Sequence, residues 1–205
     1  LSVFDNALFE QEFAVANPEL WSPDTPVLYT AESKVYEGNT LKDEYTTRFG
    51  IRTLEIVPGK GFFLNGKLTK FKGVCNHHDL GPLGGAVNDA AIRRQIRILK
   101  DMGCNAIRTS HNMPAPELVE ACDEMGMMLM VESFDEWKSA KMANGYHKIF
   151  DEWVEKDLTN LIRHYRNNPS IVMWCIGNEV PDQWNGNNGP KLSRMLQDTG
   201  SRSEE

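Results

Sequence analysis

Cysteine is scarce in this 205-residue sequence, which has four cysteines and no CxxC pair. Cys75, Cys104, Cys122 and Cys175 lack the close spacing that is typical of zinc sites and redox motifs. All four lie in the second of the two parts into which the sequence divides below. We expect them to be buried free thiols, which pack as small apolar side chains.

The sequence also lacks a long apolar run and an excess of positive charge. No stretch approaches the roughly 18 uncharged apolar residues of a membrane span. The 22 basic residues are outnumbered by 29 acidic ones, which gives a net charge of -7. Lysine and arginine are scattered among acids and form no basic patch of the kind that binds nucleic acid. We therefore predict neither a membrane nor nucleic acid as a partner, and an uncharged partner fits better.

The composition is that of an ordinary globular protein, with 40% hydrophobic and 25% charged residues. In the first part, β-branched and aromatic runs at 12–15, 27–36 and 45–56 are separated by turn signals, including a proline-rich loop at 17–26. This pattern is typical of a β-sandwich. Three or four strands are too few to close two sheets. We interpret residues 1–57 as the last part of a sandwich domain.

The second part, residues 58–205, begins at the turn residues Pro58 to Gly61. A hairpin with an Asn-Gly turn is predicted over 62–68. Next come predicted strands at 70–75, 104–108, 127–131 and 171–176, and predicted helices at 89–102, 117–125, 148–167 and 191–198. The strands are continuous apolar runs, as in parallel sheets buried on both faces. Four βα units predict an α/β sheet or half of an eight-stranded barrel. The polar end at 199–205 shows no pattern.

Polar side chains follow each of the four predicted strands. In such folds, ligands bind at the carboxyl ends of the parallel strands. Three of the five histidines lie there, together with an arginine and several carboxylates. These strand ends are Asn76 to Asp79, Arg108 to Asn112, Glu132 to Trp137, and Asn178 with Glu179. We therefore expect the binding site at this edge of the sheet.

Glu179 stands just after an apolar strand and close to Trp184 in the sequence. A solvated residue or a helix cap would be the simpler interpretation. A carboxyl group held among strand ends and aromatic rings, however, is partly shielded from water and suited to donate a proton. We interpret Glu179 as a proton donor and Asn178 as a hydrogen-bond partner of a substrate hydroxyl.

The histidines permit two interpretations. His77, His78, Asp79 and His111 have the chemistry of a zinc site, but their spacing is not specific. Adjacent residues on a strand point to opposite sides, so one of His77 and His78 at most faces the pocket. We favour neutral imidazoles that hydrogen-bond to sugar hydroxyls over a metal site.

The remaining charged strand-end residues have either catalytic or supporting roles. Arg108 could bind a substrate group, but without a phosphate loop we favour a role in holding nearby carboxylates. Glu132 is its predicted partner, since glutamates at barrel strand ends often pair with an inward arginine. Glu136 is left open between a catalytic and a structural role.

Tryptophans supply the predicted stacking surface for sugar rings. Trp137 and Trp184 are predicted to lie in loops near the strand ends, where a flat aromatic face can contact a ligand. Trp174 lies inside a predicted strand and is interpreted as a core residue.

Four parts of the sequence together resemble glycoside hydrolase family 2, the group of β-galactosidases, β-glucuronidases and β-mannosidases. They are residues 17–29 with 48–52, 61–67 with 72–74, 103–111, and 166–179. The last two, GCNAIRTSH and RNNPSIVMWCIGNE, are similar to the two signature segments of the family. The resemblance runs through nearly the whole chain.

The resemblance implies an immunoglobulin-like sandwich followed by a (β/α)8 barrel, and a retaining exo-β-glycosidase. It assigns Glu179 as general acid/base, Asn178 as a contact of the sugar 2-hydroxyl, His77 and His111 as substrate-binding residues, and Arg108 as an active-site residue. The nucleophile of the family follows the seventh barrel strand. We therefore expect an internal fragment, inactive alone, of a larger enzyme. A β-galactosidase is favoured, with a β-glucuronidase, a β-mannosidase or a non-catalytic carbohydrate-binding module as alternatives.

Some positions depart from the usual residues of the family, namely Cys75 with Asn76, Asn112 to Pro114, and Cys175. They lie on the expected walls of the pocket, so the identity of the sugar that is cleaved is left open. Some members bind magnesium near the acid/base, but Glu136 matches that ligand set only in part, so we predict no metal and no cofactor. The predicted partner is a carbohydrate substrate. A homo-oligomeric parent protein and its compartment, periplasm or cytoplasm, are left open.

Overall fold

The computed structural model of the chain describes residues 9–184 and 188–204. Its first part is an antiparallel hairpin of strands β1 (Tyr29–Glu37) and β2 (Thr40–Phe49). The predicted strand at 12–15 is wrong, since residues 9–15 are irregular and pair with no strand in the described part of the chain. The predicted run at 45–56 is divided near Gly50, where the chain packs so closely on Pro169 that a Cβ would lie 2.4 Å from its ring.

A second small sheet joins the two parts of the chain. Strands β3 (Leu54–Val57), β4 (Gly61–Leu64) and β5 (Lys67–Leu68) pair in the order β3-β4-β5, all antiparallel. Asn65 and Gly66 have φ values of 52° and 74°, the left-handed conformation that a tight hairpin turn needs. The predicted hairpin is therefore confirmed. The predicted boundary between residues 57 and 58 falls in the turn that connects β3 to β4.

The larger part of the chain is a parallel sheet covered by helices. Strands β6 (Gly73–His77), β7 (Ala106–Ser110), β8 (Met128–Glu132) and β9 (Ile171–Cys175) lie in sequence order. Helices α1 (Asp89–Asp101), α2 (Pro116–Met125), α3 (Phe150–Tyr165) and α4 (Asn188–Glu204) follow the four strands in turn. This is the predicted first half of a (β/α)8 barrel. The interpretation of residues 1–57 as part of an immunoglobulin-like sandwich stays a prediction, and residues 1–8 lie outside the described residues.

Local sequence explains where these helices begin and end. The Asn88 side chain accepts a hydrogen bond from the Ala91 N–H, at 3.0 Å, and caps the start of α1. Helix α2 begins with Pro116 and ends at Gly126, whose φ of 70° is the left-handed cap conformation. Strand β6 begins later than predicted, because the Asn105 side chain bonds to the backbone of Lys70 and Lys72.

Helix α4 is longer than the sequence indicates. The prediction of an unpatterned end at 199–205 is wrong through Glu204, and residue 205 lies outside the described residues. Leu192, Leu196 and Thr199 are buried on one face of the helix, and the two leucines pack in a cluster with residues of α3. This face stabilises the helix although its mean composition is polar, because a few buried large apolar side chains contribute roughly 1.5–3 kcal/mol each.

Three apolar clusters make up the core of the part of the chain that the structure describes. The first fills the space between the sheet and its helices and includes Ile96, Val119 and Leu129. The second lies between α3, α4 and the loop after β8. The third closes the amino-terminal ends of the strands, where Trp21 packs against Phe62, Leu64, Ala106, Met128 and Val172.

Trp21 ties the first part of the chain to the barrel. Its ring is fully buried and its indole N–H donates to the Asp123 carbonyl at 2.9 Å. The Asn65 amide donates to the Trp21 carbonyl at the same distance. The Asn17 to Pro26 loop therefore covers the lower end of the sheet.

The burial of the cysteines agrees only in part with the sequence prediction. Cys122 is buried as predicted, but Cys75 is exposed, because β6 lies at the edge of the described sheet. Cys104 and Cys175 are partly buried, and all four cysteines are free thiols.

None of the helices in the described ranges is both long and apolar enough to cross a membrane.

Candidate active site

Glu132 lies at the centre of the polar edge of the sheet. It ends β8, its side chain is 0% exposed, and its backbone N–H donates to the Thr109 hydroxyl at 3.0 Å. Its carboxylate forms an ion pair with Arg108 of β7 and lies 2.9 Å from Nδ1 of His111. The predicted pairing of Arg108 with Glu132 is thus present. The carboxylate therefore contacts both a guanidinium and an imidazole at the carboxyl-terminal edge of the sheet.

Asn178, which follows β9, is held by contacts to Arg108 of β7 and to three residues of the loop that follows β8. Its side-chain oxygen accepts from Arg108 Nη2 at 3.0 Å, and its side-chain nitrogen donates to Asp135 Oδ1 at 3.1 Å. Its backbone N–H donates to the Phe134 carbonyl at 3.1 Å, and its backbone carbonyl accepts from Lys141 Nζ at 2.6 Å. Both ends of its amide and both backbone groups therefore have fixed partners.

Glu179 directly follows Asn178 and lies at the carboxyl-terminal edge of the parallel sheet. Its φ of 43° is left-handed, which L-residues other than Asn and Asp rarely adopt. On its far side, Val180 is fully buried in the second core cluster. The expectation of a shielded carboxyl group is not met, because Glu179 is exposed. The reason is its position after β9, the edge strand of the described sheet.

The four residues considered for a metal site make separate contacts and do not converge on one point. The rings of His77 and His111 meet edge to face, with 5.1 Å between their centres. His78 Nε2 lies 3.0 Å from the Gly85 carbonyl, and Asp79 accepts the Gly81 N–H at 2.6 Å, so both shape the loop after β6. In the ranges that the structure describes, no group of three or more His, Cys, Asp or Glu is placed to hold a metal ion.

Glu136 is buried and organises the loop between β8 and α3. Oε2 accepts the Lys141 N–H at 2.7 Å, and Oε1 accepts the His147 N–H and faces its Nδ1, both at 2.8 Å. Burial alone raises the pKa of Glu136, but these donors outweigh it and lower the pKa to about 2. Of the two roles that the sequence left open, the contacts favour the structural one.

The two tryptophans predicted to stack on sugar rings differ in their exposure. Trp184 is 82% exposed and free to present its face. Trp137 is only 1% exposed, so its prediction as a stacking surface is wrong. Its ring packs beneath the strand-end loop with Phe134 and Val180, and its indole N–H donates to the Ile176 carbonyl at 2.8 Å. Trp137 therefore packs under the loop that follows β8 and does not face solvent. Trp174 is partly buried against two core clusters, as expected of a core residue.

Two functional neighbours were missed in the sequence, Asp135 and Lys141. Lys141 Nζ lies 2.9 Å from Asp135 Oδ1 as well as bonding to the Asn178 carbonyl. Asp135 lies in the strand-end segment from Glu132 to Trp137, but no role was assigned to it there. Lys141 follows no strand directly, and it is 37 residues from Asn178 in the sequence. The only hint is the pair of lysines in EWKSAK, at residues 136–141.

Comparison with known proteins places these features in a family. The model of glycosyl hydrolases family 2 matches residues 2–52, and the model of the TIM barrel domain of the same family matches residues 56–200. Beta-galactosidase BoGH2A from Bacteroides ovatus is 52% identical over 186 residues, which are 91% of this chain and 22% of that protein. A putative beta-glucuronidase from Formosa agariphila is 44% identical over 82% of this chain and 16% of its own length.

Solved structures agree. The crystal structure of a beta-glycosidase from Bacteroides vulgatus is 45% identical with a TM-score of 0.85, over 91% of this chain and 24% of that one. The beta-D-glucuronidase of Dictyoglomus thermophilum is 27% identical with a TM-score of 0.81, over 93% of this chain and 33% of that one. This chain thus spans about a quarter of the proteins it matches. The matched ranges and these identities establish that the chain belongs to glycosyl hydrolases family 2.

Proposed function

We propose that this chain supplies the acid/base side of the active site of a retaining exo-β-glycosidase. The observation that carries the proposal is the presentation of Glu179 at the carboxyl edge of the sheet, next to Asn178 and the pair of Arg108 with Glu132. An exposed carboxyl group on an otherwise fixed backbone can reach a ligand that enters from solvent. In this role it donates its proton to the leaving oxygen as the glycosidic bond breaks, then takes a proton from the water that releases the sugar.

Neighbouring groups would orient the sugar. Asn178 retains one N–H and one lone pair on its amide after its contacts to Asp135 and Arg108, enough to bind one hydroxyl group. His77 and His111 line the same edge with imidazole nitrogens. Trp184 offers an exposed ring for stacking on a sugar or aglycone. These residues fit a neutral, hydroxyl-rich substrate.

The nucleophile is proposed to come from outside this chain. A retaining glycosidase needs a second carboxylate about 5–5.5 Å from the acid/base. The other carboxylates that follow β8 already have partners: Glu132 binds Arg108 and His111, Asp135 binds Lys141 and Asn178, and Glu136 binds loop N–H groups. We therefore expect the isolated chain to be inactive, and activity to require the full-length protein.

A β-galactosidase is the favoured activity, because the relative at 52% identity carries that name. Relatives named β-glucuronidases also match, so that activity is the first alternative, followed by a β-mannosidase. A non-catalytic carbohydrate-binding module is less well supported than the sequence indicated. That alternative uses Trp137, Trp184 and the histidines as a stacking platform, and Trp137 is buried.

The test uses the full-length protein with 4-nitrophenyl β-galactoside, β-glucuronide and β-mannoside. We expect the highest kcat/KM for the galactoside. Glu179→Gln is then assayed with the phenyl glycoside of the preferred sugar, whose poor leaving group needs protonation, and is expected to reduce kcat/KM by about 100-fold or more, the range of general acid catalysis. Glu152→Gln, a change of an exposed glutamate on α3, is the control. Unchanged kcat/KM for the phenyl glycoside in Glu179→Gln would reject the role of Glu179, whereas a different preferred sugar would correct only the substrate.

A further inference from the structure

Lys141 reaches the backbone that directly precedes Glu179. It lies on the loop between β8 and α3, its side chain is only 21% exposed, and its Nζ is 2.6 Å from the Asn178 carbonyl. We propose that Lys141 is a positioning residue that holds the Asn178 carbonyl and thereby fixes the direction in which Glu179 presents its carboxyl group. This inference rests on the proposed role of Glu179 as acid/base.

Lys141 is itself held at both ends. Its backbone N–H donates to buried Glu136 at 2.7 Å, which anchors the loop at this residue. Its ammonium group meets Asp135 Oδ1 at 2.9 Å, and the same oxygen accepts the Asn178 side-chain N–H at 3.1 Å. Lys141, Asp135 and Asn178 therefore form a closed ring of three contacts. An ammonium group so placed is a defined donor, in contrast to the solvated end of a surface lysine.

The backbone at Glu179 needs such support. Its left-handed φ of 43° is disfavoured for a glutamate and persists only where the flanking residues fix it. Val180 is fixed on one side by its burial in the core. On the other side, Gly177 has no room for a side chain, since a Cβ would lie 2.9 Å from Trp137 Nε1, and the Asn178 carbonyl is held by Lys141. Without the ammonium group, the Asn178 carbonyl loses its donor, and the peptide between Asn178 and Glu179 is less firmly fixed.

Loss of position and loss of general stability have different kinetic signatures. General acid catalysis matters most when the leaving group is a poor one that must be protonated, and least when it departs as a stable anion. A misplaced Glu179 therefore slows substrates with poor leaving groups selectively. A weakened fold lowers the amount of active protein and slows all substrates alike.

The experiment measures kcat/KM, which reports the first bond-breaking step, in the full-length protein. The substrates are a series of aryl β-glycosides of the preferred sugar, from phenyl to 2,4-dinitrophenyl. Lys141→Met keeps a side chain of similar length without the donor. We expect a loss of about 30-fold for the phenyl glycoside and under about 3-fold for the dinitrophenyl glycoside, because a displacement of about 1 Å can cost up to about 100-fold. Lys141→Arg, which keeps a donor, should recover most of the loss.

Lys138→Met is the matched control. Lys138 lies on the same loop but is exposed and pairs with Asp151, so its replacement should leave the whole series unchanged. If Lys141→Met does not fold, as judged by its thermal unfolding, Lys141→Gln replaces it with the same expectations, because its amide is too short to reach both partners.

The outcomes separate this inference from the function on which it rests. An equal loss for all leaving groups in Lys141→Met, together with a selective loss in Glu179→Gln, would overturn only the positioning role. A Glu179→Gln variant without a selective loss would reject the proposed function and the role of Lys141 with it. A selective loss in both variants, rescued by Lys141→Arg, supports the inference.

Discussion

Arg108 and Asn178 connect the second and fourth strands of the parallel sheet, with the guanidinium Nη2 3.0 Å from the amide oxygen. The strand between them, β8, ends in Glu132, which pairs with the same guanidinium. One arginine therefore neutralises a buried carboxylate and sets the orientation of the amide that precedes Glu179. This arrangement makes Glu132 important to a site that it does not enter.

Replacement of Glu132 by glutamine should disturb both stability and activity. The change removes the charge that faces Arg108 and His111, and it leaves a mostly buried guanidinium without a carboxylate partner. We expect a loss on the order of 2 kcal/mol in the free energy of unfolding, less than for a wholly buried pair because Arg108 is partly exposed. A loss of at least about 10-fold in kcat/KM should accompany it.

Urea unfolding and kinetics of the full-length protein measure these effects. Glu120→Gln is the control, because Glu120 forms an exposed pair with Arg48, which contributes about 0–1 kcal/mol. If Glu132→Gln behaved like Glu120→Gln, the buried network would not support the site.

The buried Glu136 should make stability depend on pH in acid. Its pKa is about 2 in the folded protein, below the value of 4.5 for the free group. A carboxyl group whose pKa is lowered by folding contributes its full stabilisation at pH values above its pKa in the unfolded state. This stabilisation is lost as the pH falls through the pKa of the group in the folded state. The free energy that separates the wild-type protein from Glu136→Gln, on the order of 3 kcal/mol at pH 7, should therefore fall by more than half between pH 6 and pH 3. Unfolding in urea at several pH values measures it. A constant difference would contradict the contacts of Glu136.

Two glycines at helix ends provide a test of how the first part of the chain packs on the barrel. Gly126 and Gly103 both have left-handed φ values, 70° and 87°. A Cβ on Gly126 would lie 2.3 Å from the Pro23 carbonyl, whereas a Cβ on Gly103 meets nothing within 4 Å. Alanine at Gly103 should cost only the left-handed penalty, about 1–2 kcal/mol. Alanine at Gly126 should cost clearly more, measured as a larger fall in Tm. Equal falls would mean that the Pro23 loop moves away freely.

The two loop tryptophans should respond in opposite ways. Trp184→Ala removes an exposed ring, so it should leave Tm unchanged and raise KM about 3- to 10-fold if the ring stacks on the ligand. Trp137→Phe removes the donor to the Ile176 carbonyl and should lower stability by about 1–2 kcal/mol. Thermal unfolding and KM of both variants check this, and a KM effect confined to Trp137→Phe would reverse the assignment.

Sequence patterns predicted the second part of the chain better than the first. Its strands and helices are long periodic or continuous apolar runs, and each is present within a few residues of its predicted bounds except α4, which continues to Glu204, beyond its predicted end at residue 198. Strand β6 is displaced, because the pairing of Lys70 and Lys72 is taken over by the side chain of Asn105, a contact that local pattern does not reveal. The run at 12–15 has strand composition but no strand to pair with in the described sheets.

The candidate site shows the same limit. Residues that follow a strand, such as Glu132 and Asn178, could be found because parallel strand ends converge. Lys141 could not, since its contact depends on the path of the whole loop between β8 and α3. Trp137 was misjudged for a similar reason, because the cluster that buries it includes Leu192 and Leu196 of the distant helix α4.

Trp21 sets a practical limit on how this protein can be divided. The two family matches meet between residues 52 and 56, which suggests a natural place to separate a barrel from its sandwich. A barrel produced from residue 56 onward would lose the Trp21 ring from its lower core and the Arg52 side chain that donates to the Ile171 carbonyl. Chimeric or truncated versions should therefore keep the chain from Asn17 onward with the barrel. The seam that matters for engineering lies upstream of the tryptophan.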